Sequence, residues 1–535
     1  MIRVFQVKCA SEDKNEIEAH LIKKLHLSKK DLLAWSIHRK SVDARHQKVL
    51  FSFTIDCQVR NEKKLLKKKD VHPTPDESYH PVQPGIHSLK NRPVVVGFGP
   101  AGMFASLILA QAGYAPIVLE RGSSIYKRKE IVDHFWKTGE LNEECNVQFG
   151  QGGAGAFSDG KLTTRSKDSR CRKVLEELLR FGAKDEILID QHPHIGTDAF
   201  IEIVQECRLE IEKLGGSFYF DTKLEDIEVK EGQLSKICIQ GQWMDCQALI
   251  LACGHSAKDT LMMLHRHDVK LSNKRFAVGV RIEHLQNYIN EAMLKEACMD
   301  DRLIPARYQL CHTAQNGKGV YTFCMCPGGY VIPASSEKEK LVINGMSYAS
   351  RSGENANSAL LIQVDESDYG SNLFDGLTFQ EELEKKAYDL AGGYSACVQL
   401  AKDYLDGKVS NHFEQVKPTY CLGYQFVDLN QLFPPALNQA LKEALCAFEK
   451  KVPGFVSQGA VLSAIESRSS SSIRIDRNAN CESSISGLYP SGEGSGYAGG
   501  IMTSAIDGIR CAEKLIEYFN RPQYNKPKIG GGSNG

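Results

Sequence analysis

A glycine-rich loop between an apolar strand and an apolar helix constrains the fold more than any other part of the sequence. In PVVVGFGPAGMFASLILAQAGYAPIVLERG, Gly97 allows a tight turn, and Gly99 lets a phosphate group approach the backbone because no Cβ is in the way. Gly102 allows the helix to pack closely on the strand. The N–H groups and dipole of the helix N-terminus then favour an anionic ligand. The segment predicts a parallel sheet that begins with a dinucleotide-binding βαβ unit.

Glu120, at the end of the second strand, supports the dinucleotide interpretation. It follows Gly102 at nearly the offset of about 20 residues expected for the acid that binds the ribose hydroxyls. A carboxylate there would repel a 2′-phosphate, which disfavours NADP. The segments GQGGAG at 150–155 and GSGYAG at 494–499 have the same glycine spacing, but only the first loop has both a preceding strand and an acid after the helix. A strand-to-helix turn without a ligand is the alternative.

Charge and cysteine content limit the class of protein. The 535 residues include 66 basic and 66 acidic side chains, and this balance argues against a main role in binding nucleic acid. The 17 cysteines lack the regular spacing of a disulfide scaffold, so most are expected to be reduced thiols. The segment MIRVFQVKCASEDKNE is too charged for a signal peptide, and no apolar run reaches the roughly 18 residues of a membrane span. We therefore expect a cytoplasmic protein.

Changes in hydrophobic pattern predict several units along the chain. A strand, helix, strand, strand pattern comes first, and a lysine- and proline-rich stretch that disfavours regular structure follows it. Apolar strands and helices then alternate, as in a parallel sheet, until a region of different rhythm interrupts them. The predicted units are an N-terminal βαββ module (1–70), a linker (71–91), a discontinuous dinucleotide-binding domain (92–275 and 455–520), an inserted α+β domain (276–454) and a flexible tail (521–535).

Four glycine-rich segments together resemble the flavoproteins that have two dinucleotide-binding domains. They are GFGPAG, FGQGGAGAFSDGKL, LILACGH and GLYPSGEGSGYAGGIMTSAIDGIRCAE, and both their order and their spacing match. More narrowly, residues 1–518 resemble bacterial FAD-dependent, or NAD(FAD)-utilising, dehydrogenases. The resemblance implies an α/β fold with a Rossmann-like FAD-binding domain of glutathione-reductase type, an inserted α+β substrate domain and the small N-terminal module. The first loop alone does not separate FAD from NAD.

The resemblance also implies which residues contact FAD. The pyrophosphate would lie against Gly97, Gly99, Pro100, Ala101 and Gly102, and the adenosine against Glu120, Arg121 and the backbone of Leu224. The ribityl chain and isoalloxazine would lie along Gln148, Gly152, Gly153, Ala154, Ala156, Gly492 and Glu493. A second helix N-terminus would face the flavin pyrimidine and stabilise its reduced anion, with Gly496, Ala498, Gly499 and Ile501. Cys253 and Gly254 replace the usual Thr-Gly pair, and Glu493 the usual Asp. Each small residue could instead serve close packing.

Candidate catalytic residues are fewer, because flavin supplies the hydride chemistry itself. Lys161 follows the second glycine segment and could stabilise a negative flavin or substrate; a solvent-facing lysine is the alternative. His255 could be a proton donor or an ordinary loop histidine. Arg281 and Glu283 could line a substrate pocket, although an ion pair between strands is the favoured interpretation.

Cys324 and Cys326, in FCMCPGG, would share one face of a strand, since strand side chains alternate. A redox dithiol needs its sulfurs close together and one thiol with a lowered pKa. Flavin-linked dithiols usually have two or more residues between the cysteines, so a pair of small buried apolar residues is the favoured interpretation. No metal site is expected, because no second pair of cysteines or histidines has a ligand-like spacing.

These features predict an FAD-dependent oxidoreductase that transfers hydride between bound flavin and an unidentified small molecule. The inserted region contains no second G-x-G-x-x-G, so NAD(P)H is expected only as a transient electron donor. A flavin-dependent RNA-modifying enzyme, with the N-terminal module as an RNA or protein adaptor, is one alternative, and the neutral charge argues against it. A noncatalytic flavin-binding regulatory protein is the other.

Overall fold

The structure is a computed structural model that describes residues 1–44, 49–164 and 166–522. It is a mixed α/β protein with parallel and antiparallel sheets. The predicted flexible tail lies outside the described residues from residue 523 onward. Among the helices of these described ranges, none is both long enough and apolar enough to cross a membrane.

The N-terminal region is a four-stranded antiparallel sheet with one long helix. It contains β1 (Ile2–Cys9), α1 (Lys14–Leu25), β2 (Leu32–Asp43), β3 (Leu50–Val59), α2 (Glu62–Leu65) and β4 (Val71–Pro73). The strand order is β2-β3-β1-β4. Helix α1 begins where the Asp13 carboxylate accepts hydrogen bonds from the N–H groups of Asn15 and Glu16. The sheet extends into the predicted linker, because Val71 pairs with Val4 at the edge of β1.

One edge of this sheet contacts the rest of the protein. In β2, the Lys40 N–H donates to the Ile189 carbonyl at 2.6 Å, and the Lys40 carbonyl accepts from the Gln191 N–H at 3.0 Å. The Lys40 ammonium also lies 3.2 Å from the Asp190 carboxylate. Part of the edge that an adaptor would offer to a partner strand is therefore already paired within the chain.

The next region alternates strands and helices. It contains β5 (Val94–Val96), α3 (Pro100–Gln111), β6 (Ile117–Leu119), α4 (Ile125–Thr138), α5 (Arg170–Arg180), α6 (Thr197–Lys213), β7 (Ser217–Tyr219), β8 (Leu224–Lys230), β9 (Gln233–Ile239), β10 (Gln242–Asp245), β11 (Leu249–Leu251), α7 (Lys258–Arg266) and β12 (Leu271–Asn273). Strands β8, β9 and β10 form a separate antiparallel sheet. Strands β8 and β9 have half-buried patterns, as the alternating segments of the sequence predicted, whereas β5 and β11 are wholly buried, as their continuous apolar segments predicted.

A seven-stranded sheet forms the centre of the inserted region. The elements are β13 (Phe276–Leu285), α8 (Gln286–Leu294), β14 (Cys311–Thr313), β15 (Gly319–Cys326), β16 (Tyr330–Pro333), β17 (Ile343–Met346), β18 (Asn355–Val364), α9 (Glu366–Tyr369), α10 (Asp375–Ala391), β19 (Ala396–Leu400), α11 (Ala401–Asp406), β20 (Tyr424–Phe426), α12 (Pro435–Lys451) and β21 (Val461–Glu466). The order is β14-β15-β18-β13-β21-β19-β20, and β16 pairs with β17. The predicted boundary at 454 falls before the last strand of this sheet, because β21 pairs with both β13 and β19.

The end of the described chain returns to the parallel sheet. It contains β22 (Ile473–Ile475), β23 (Leu488–Pro490) and α13 (Ile501–Tyr518). Strand β22 pairs with β12, and β23 completes a five-stranded parallel sheet of order β23-β11-β5-β6-β7. Helices α3 and α13 cross closely, since a Cβ on Gly508 would lie 2.1 Å from the Ala101 carbonyl oxygen. The strands of this sheet end at one edge, where ligands of open α/β sheets bind.

Candidate functional site

One cleft runs along the carboxyl ends of the parallel strands and continues under the inserted sheet. The predicted cofactor residues in its wall are Gly97, Gly99, Pro100, Ala101, Glu120, Arg121, Gln148, Gly153, Ala154, Leu224, Cys253, Gly254, Glu493, Gly499 and Ile501. The predicted catalytic candidates in the wall are Lys161, His255 and Cys324. The cleft therefore joins residues that are up to several hundred positions apart in the sequence.

The remaining predicted residues are not among the residues of this cleft wall. They are Gly102, Gly152, Ala156, Gly492, Gly496, Ala498, Arg281 and Cys326. Ala156, for example, is fully buried in the apolar core, where it would contact a Cβ added to Gly152. A Cβ added to any of the four glycines would lie 1.9 to 3.0 Å from a neighbouring atom, so close packing also requires small residues at these positions. Arg281 and Cys326 are fully buried close to the cleft.

The first glycine loop has three different local environments. Gly97 has a φ of +89°, and a Cβ there would lie 2.4 Å from the Ala252 carbonyl oxygen. A Cβ on Gly102 would lie 1.9 Å from the Gly97 carbonyl oxygen, so both positions need glycine for the turn itself. Gly99 has an ordinary φ of −76°, and its Cβ would meet nothing closer than 3.5 Å. Of the three glycines, only Gly99 could therefore carry a Cβ without a clash, and its nearest neighbour would be the Gly153 Cα.

The start of α3 offers donors to a ligand. The helix begins at Pro100, and within the described ranges the N–H groups of Ala101 and Gly102 have no acceptor. Three further buried polar atoms in or beside the cleft wall, His255 Nε2, Ser256 Oγ and Ser491 Oγ, have no hydrogen-bond partner in the described part of the chain. Buried polar groups without partners are rare in folded proteins, so this wall fits a polar ligand with phosphate groups.

Glu120 links the first glycine loop to the second glycine segment. Its buried carboxylate accepts hydrogen bonds from the N–H groups of Phe98, Gly122 and Gly150 at 2.8, 3.0 and 3.0 Å. A carboxylate has about four acceptor positions, so these three donors leave one for a ribose hydroxyl. The neighbouring Arg121 guanidinium is paired with Asp259 at 2.7 and 2.9 Å and does not depend on a ligand for a partner.

Arg128 is a positioning residue that sequence reasoning missed. Its guanidinium is fully buried and donates to the carbonyl oxygens of five residues in the second glycine segment, namely Asn146, Val147, Gly150, Gln151 and Gly153. One charged side chain thus fixes the loop that carries Gln148, Gly153 and Ala154 into the cleft wall. The sequence gives no sign of this role, because Arg128 lies in α4 and the loop that it holds comes only after the end of that helix.

The N-terminus of α13 forms the opposite wall. The helix begins at Ile501 after Gly500, whose φ is +90°. Glu493 lies in the wall with its carboxylate 3.8 Å from His255 Nδ1. Burial raises the pKa of Glu493 to about 7 and lowers the pKa of His255 to about 4. His255 is therefore a neutral imidazole near pH 7.

The inserted sheet supplies the far end of the cleft. Arg281 of β13 donates to Asn357, Asn344 and the Glu466 carboxylate at 2.9, 2.9 and 2.7 Å, and to the Cys324 carbonyl at 2.7 Å. Arg281 therefore forms an ion pair between strands, which was the favoured interpretation, and its acid is Glu466 of β21. Glu466 also lies in the cleft wall, and burial raises its pKa to about 7 although Arg281 opposes this.

Glu283 and Lys161, two further candidates from the sequence, both have partners within the protein. Glu283 points to Thr419 and Asn355, from which its carboxylate accepts hydrogen bonds at 2.7 and 3.1 Å. The Lys161 side chain is half-buried, contacts the Met325 carbonyl and lies 3.3 Å from the Asp159 carboxylate. Burial would lower the pKa of Lys161, but the neighbouring Cys324, Cys326 and Asp159 outweigh burial and raise it. Lys161 is thus a held cation and not a free surface lysine.

Comparison with known proteins identifies the class. A family model described as "FAD-dependent protein, C-terminal domain-like" matches residues 275–469, the segment that contains the seven-stranded sheet. A domain of unknown function matches residues 1–58. The chain belongs to this family of FAD-dependent proteins, so the resemblance seen in the sequence is confirmed and FAD is the cofactor.

The chain also has a full-length relative. A protein of Clostridium beijerinckii, described as uncharacterised, is 47% identical over 522 residues, which are 96% of this chain and 98% of that protein. Solved structures give weaker likenesses. E. coli quinol fumarate reductase has a TM-score of 0.36 at 11% identity (81% of this chain, 70% of that one), and L-proline dehydrogenase from P. horikoshii has 0.32 at 10% (80% and 93%). These low scores carry no information about the reaction of this protein.

Proposed function

We propose that the protein is an FAD-dependent oxidoreductase that transfers hydride between bound flavin and a small molecule. NAD(P)H or another electron partner would visit the site transiently. One observation carries the proposal: a single cleft joins the glycine loop and Glu120 at one end to Lys161, Cys324 and Glu466 at the other. A protein that only stored flavin would not need a cation, a thiol and an acid at the end remote from the nucleotide loop.

In this proposal FAD lies extended, as in the glutathione-reductase type of domain. The pyrophosphate would receive hydrogen bonds from the N-terminus of α3, and Glu120 would accept from one ribose hydroxyl. The ribityl chain would follow the loop at 148–155, and the α13 N-terminus would favour negative charge on the flavin pyrimidine. The discontinuous domain would thus hold the cofactor and the inserted domain would cover its reactive end.

The side chains at the covered end have chemically distinct tasks. Flavin supplies the hydride acceptor or donor. Lys161, held by Asp159, would keep a positive charge beside the reacting groups. Glu466 has a pKa near the working pH, about 7, so it would accept or deliver a proton on the substrate. Arg281 would orient Glu466, because it holds one carboxylate oxygen at 2.7 Å.

Anaerobic reduction of the FAD-loaded protein tests the proposal. We expect NADH, NADPH or a component of a fractionated metabolite extract to bleach the oxidised flavin band near ~450 nm. With a metabolite that loses a proton together with its hydride, a variant that keeps the cofactor but lacks the proposed proton carrier, Glu466→Gln, should bleach more slowly by about 100-fold or more. If no donor or metabolite fraction changes the band, the protein binds flavin without catalysing this reaction. RNA retention lost at higher salt would instead favour the RNA-modifying alternative.

A further inference from the structure

We propose that Cys324 and Cys326 are a redox-active dithiol that exchanges two electrons with the flavin. A thiol–disulfide couple is then an electron partner of this site. The inference rests on the proposed flavin site but adds a second redox centre, which the inserted domain carries.

The backbone at the two cysteines is built irregularly. In the pairing of β15 with β18, Phe323 lies opposite Ala359 and Cys326 opposite Asn357, so three steps on one strand match two on the other. Cys324 has a φ of +42°, a left-handed conformation that residues other than glycine rarely adopt. Such bulges occur next to active sites, where they redirect a side chain. Here the bulge leaves Cys324 in the cleft wall while Cys326 is fully buried beneath it.

The two cysteines are in contact, and their pKa values are shifted in opposite directions. The Cys326 thiol donates a hydrogen bond to the Cys324 carbonyl oxygen at 3.2 Å. Interaction with the Cys326 thiol, together with the charges of Lys161 and Arg281, lowers the pKa of Cys324 to about 5 although burial opposes this. Burial raises the pKa of Cys326 well above that of an ordinary thiol. Near pH 7 the pair is therefore one thiolate and one thiol, the state that a dithiol needs for reaction.

Two cations hold the turn between the cysteines. The Arg281 guanidinium donates to the Cys324 carbonyl at 2.7 Å, and the Lys161 ammonium contacts the Met325 carbonyl. The acids that face the pair are Asp159, Glu466 and Glu493. Asp159 is paired with Lys161 and Glu466 with Arg281. Two small apolar residues in a strand would not need this arrangement.

The electron and proton balance closes within the site. In the oxidative direction the Cys324 thiolate and the Cys326 thiol form one S–S bond and release two electrons and one proton. Bound FAD would supply the acceptor for those two electrons and that one proton, so the step balances. In the reverse direction the same electrons and proton cleave the disulfide. The external partner is then either an organic dithiol or disulfide, or a substrate that exchanges hydride with the flavin.

Another cysteine pair provides an internal comparison. Cys481 and Cys511 also share a hydrogen bond, which lowers the pKa of Cys481 to about 7, and Arg477 contacts Cys511 at 3.5 Å. Both cysteines are buried in the core and neither lies in the cleft wall. They should therefore be irrelevant to electron exchange with flavin, and Cys481→Ser is a matched control.

A dithionite titration of the FAD-loaded full-length protein, oxidised beforehand, tests the proposal. We expect the wild type and Cys481→Ser to take up about four electrons per chain, and Cys324→Ser and Cys326→Ser about two, with the flavin still bound. Peptide mass mapping after alkylation should find the 324–326 peptide with an internal disulfide in the oxidised wild type and with two alkylated thiols after reduction. Uptake of two electrons by the wild type, or a disulfide only between Cys481 and Cys511, would overturn the proposal.

A separate readout distinguishes failure of the dithiol from failure of the flavin site. The apoprotein is equilibrated with glutathione buffers of different redox potential, and the 324–326 peptide is mapped in each. A reversible disulfide in protein that never binds FAD would disprove the proposed function and leave a dithiol without its flavin partner. Absence of the disulfide in protein that binds FAD and is reduced by a donor would disprove the dithiol alone.

Discussion

Replacement of Gly99 with Glu is expected to weaken FAD binding by at least about 100-fold and to leave the apoprotein folded. Gly99 lines the cleft with an ordinary φ, and the atom nearest to an added Cβ is the Gly153 Cα at 3.5 Å, so the fold tolerates a side chain at this point of the cleft wall. The introduced carboxylate would lie close to the free N–H groups of Ala101 and Gly102, where the pyrophosphate of FAD is expected to bind. The negative charges of the carboxylate and the pyrophosphate would repel each other. Fluorescence titration of the apoprotein with FAD measures the affinity, and the thermal unfolding temperature checks the fold.

Two neighbouring variants separate binding from folding. Gly99→Ala adds one methyl group in the same place without charge and should weaken FAD binding by less than about tenfold. Gly102→Ala places a Cβ against the Gly97 carbonyl oxygen, so it should lower the unfolding temperature even without FAD. If Gly99→Glu binds FAD as tightly as the wild type, the pyrophosphate does not lie at this loop.

Arg281→Met is expected to destabilise the protein by about 3 to 5 kcal/mol near neutral pH. The arginine is completely buried, and its loss removes a donor from the Asn344 oxygen and the Cys324 carbonyl and leaves Glu466 and the Asn357 oxygen with none among the described residues. Removing one partner of a buried pair costs more than the pair contributes, because the remaining charge stays buried. Urea unfolding of the apoprotein, followed by fluorescence, measures the loss.

The destabilisation caused by Arg281→Met should increase as the pH rises. Burial already raises the pKa of Glu466 to about 7, and loss of Arg281 raises it further. For a group with a raised folded-state pKa, stability is present at low pH and is lost as pH rises through that pKa. The variant should therefore lose more relative to wild type at about pH 8.5 than at about pH 5.5, where Glu466 is protonated in both proteins.

An exposed ion pair serves as the control for Arg281. Arg172 and Glu176 lie one helical turn apart on α5 with 2.8 Å between guanidinium and carboxylate. Arg172→Met should change stability by less than about 0.5 kcal/mol, because water screens the pair. Equal effects of the two substitutions would contradict the assignment of Arg281 as the buried anchor of this end of the cleft.

Local sequence patterns predicted much of the fold. The strand, glycine loop and helix at 94–111 have the predicted order, and α1 begins after Asp13, which caps the predicted helix. Local sequence patterns did not predict which strands pair when the strands are far apart in the sequence. The sequence of β21 does not show whether this strand belongs to the parallel sheet or to the inserted sheet, because a buried strand has the same composition in either one.

The same limit applies to the site. Gly97, Gly99 and Glu120 were predictable because a dinucleotide loop is compact in the sequence. Arg281 and Glu466 are 185 positions apart, so their pairing has no spacing signal. The bulge at Cys324 is also invisible in FCMCPGG, since regular alternation predicts an ordinary strand there. Contacts between residues that are distant in the sequence can be identified only from the tertiary structure.

The most direct test of the central claim measures the cofactor of the purified full-length protein. We expect about one flavin per chain, with absorbance near ~450 nm, identified as FAD by mass after acid release. Apoprotein incubated with FAD should regain the band and unfold at a higher temperature, whereas NADP should not restore the band. A colourless protein that FAD neither binds nor stabilises would show that this cleft does not hold FAD.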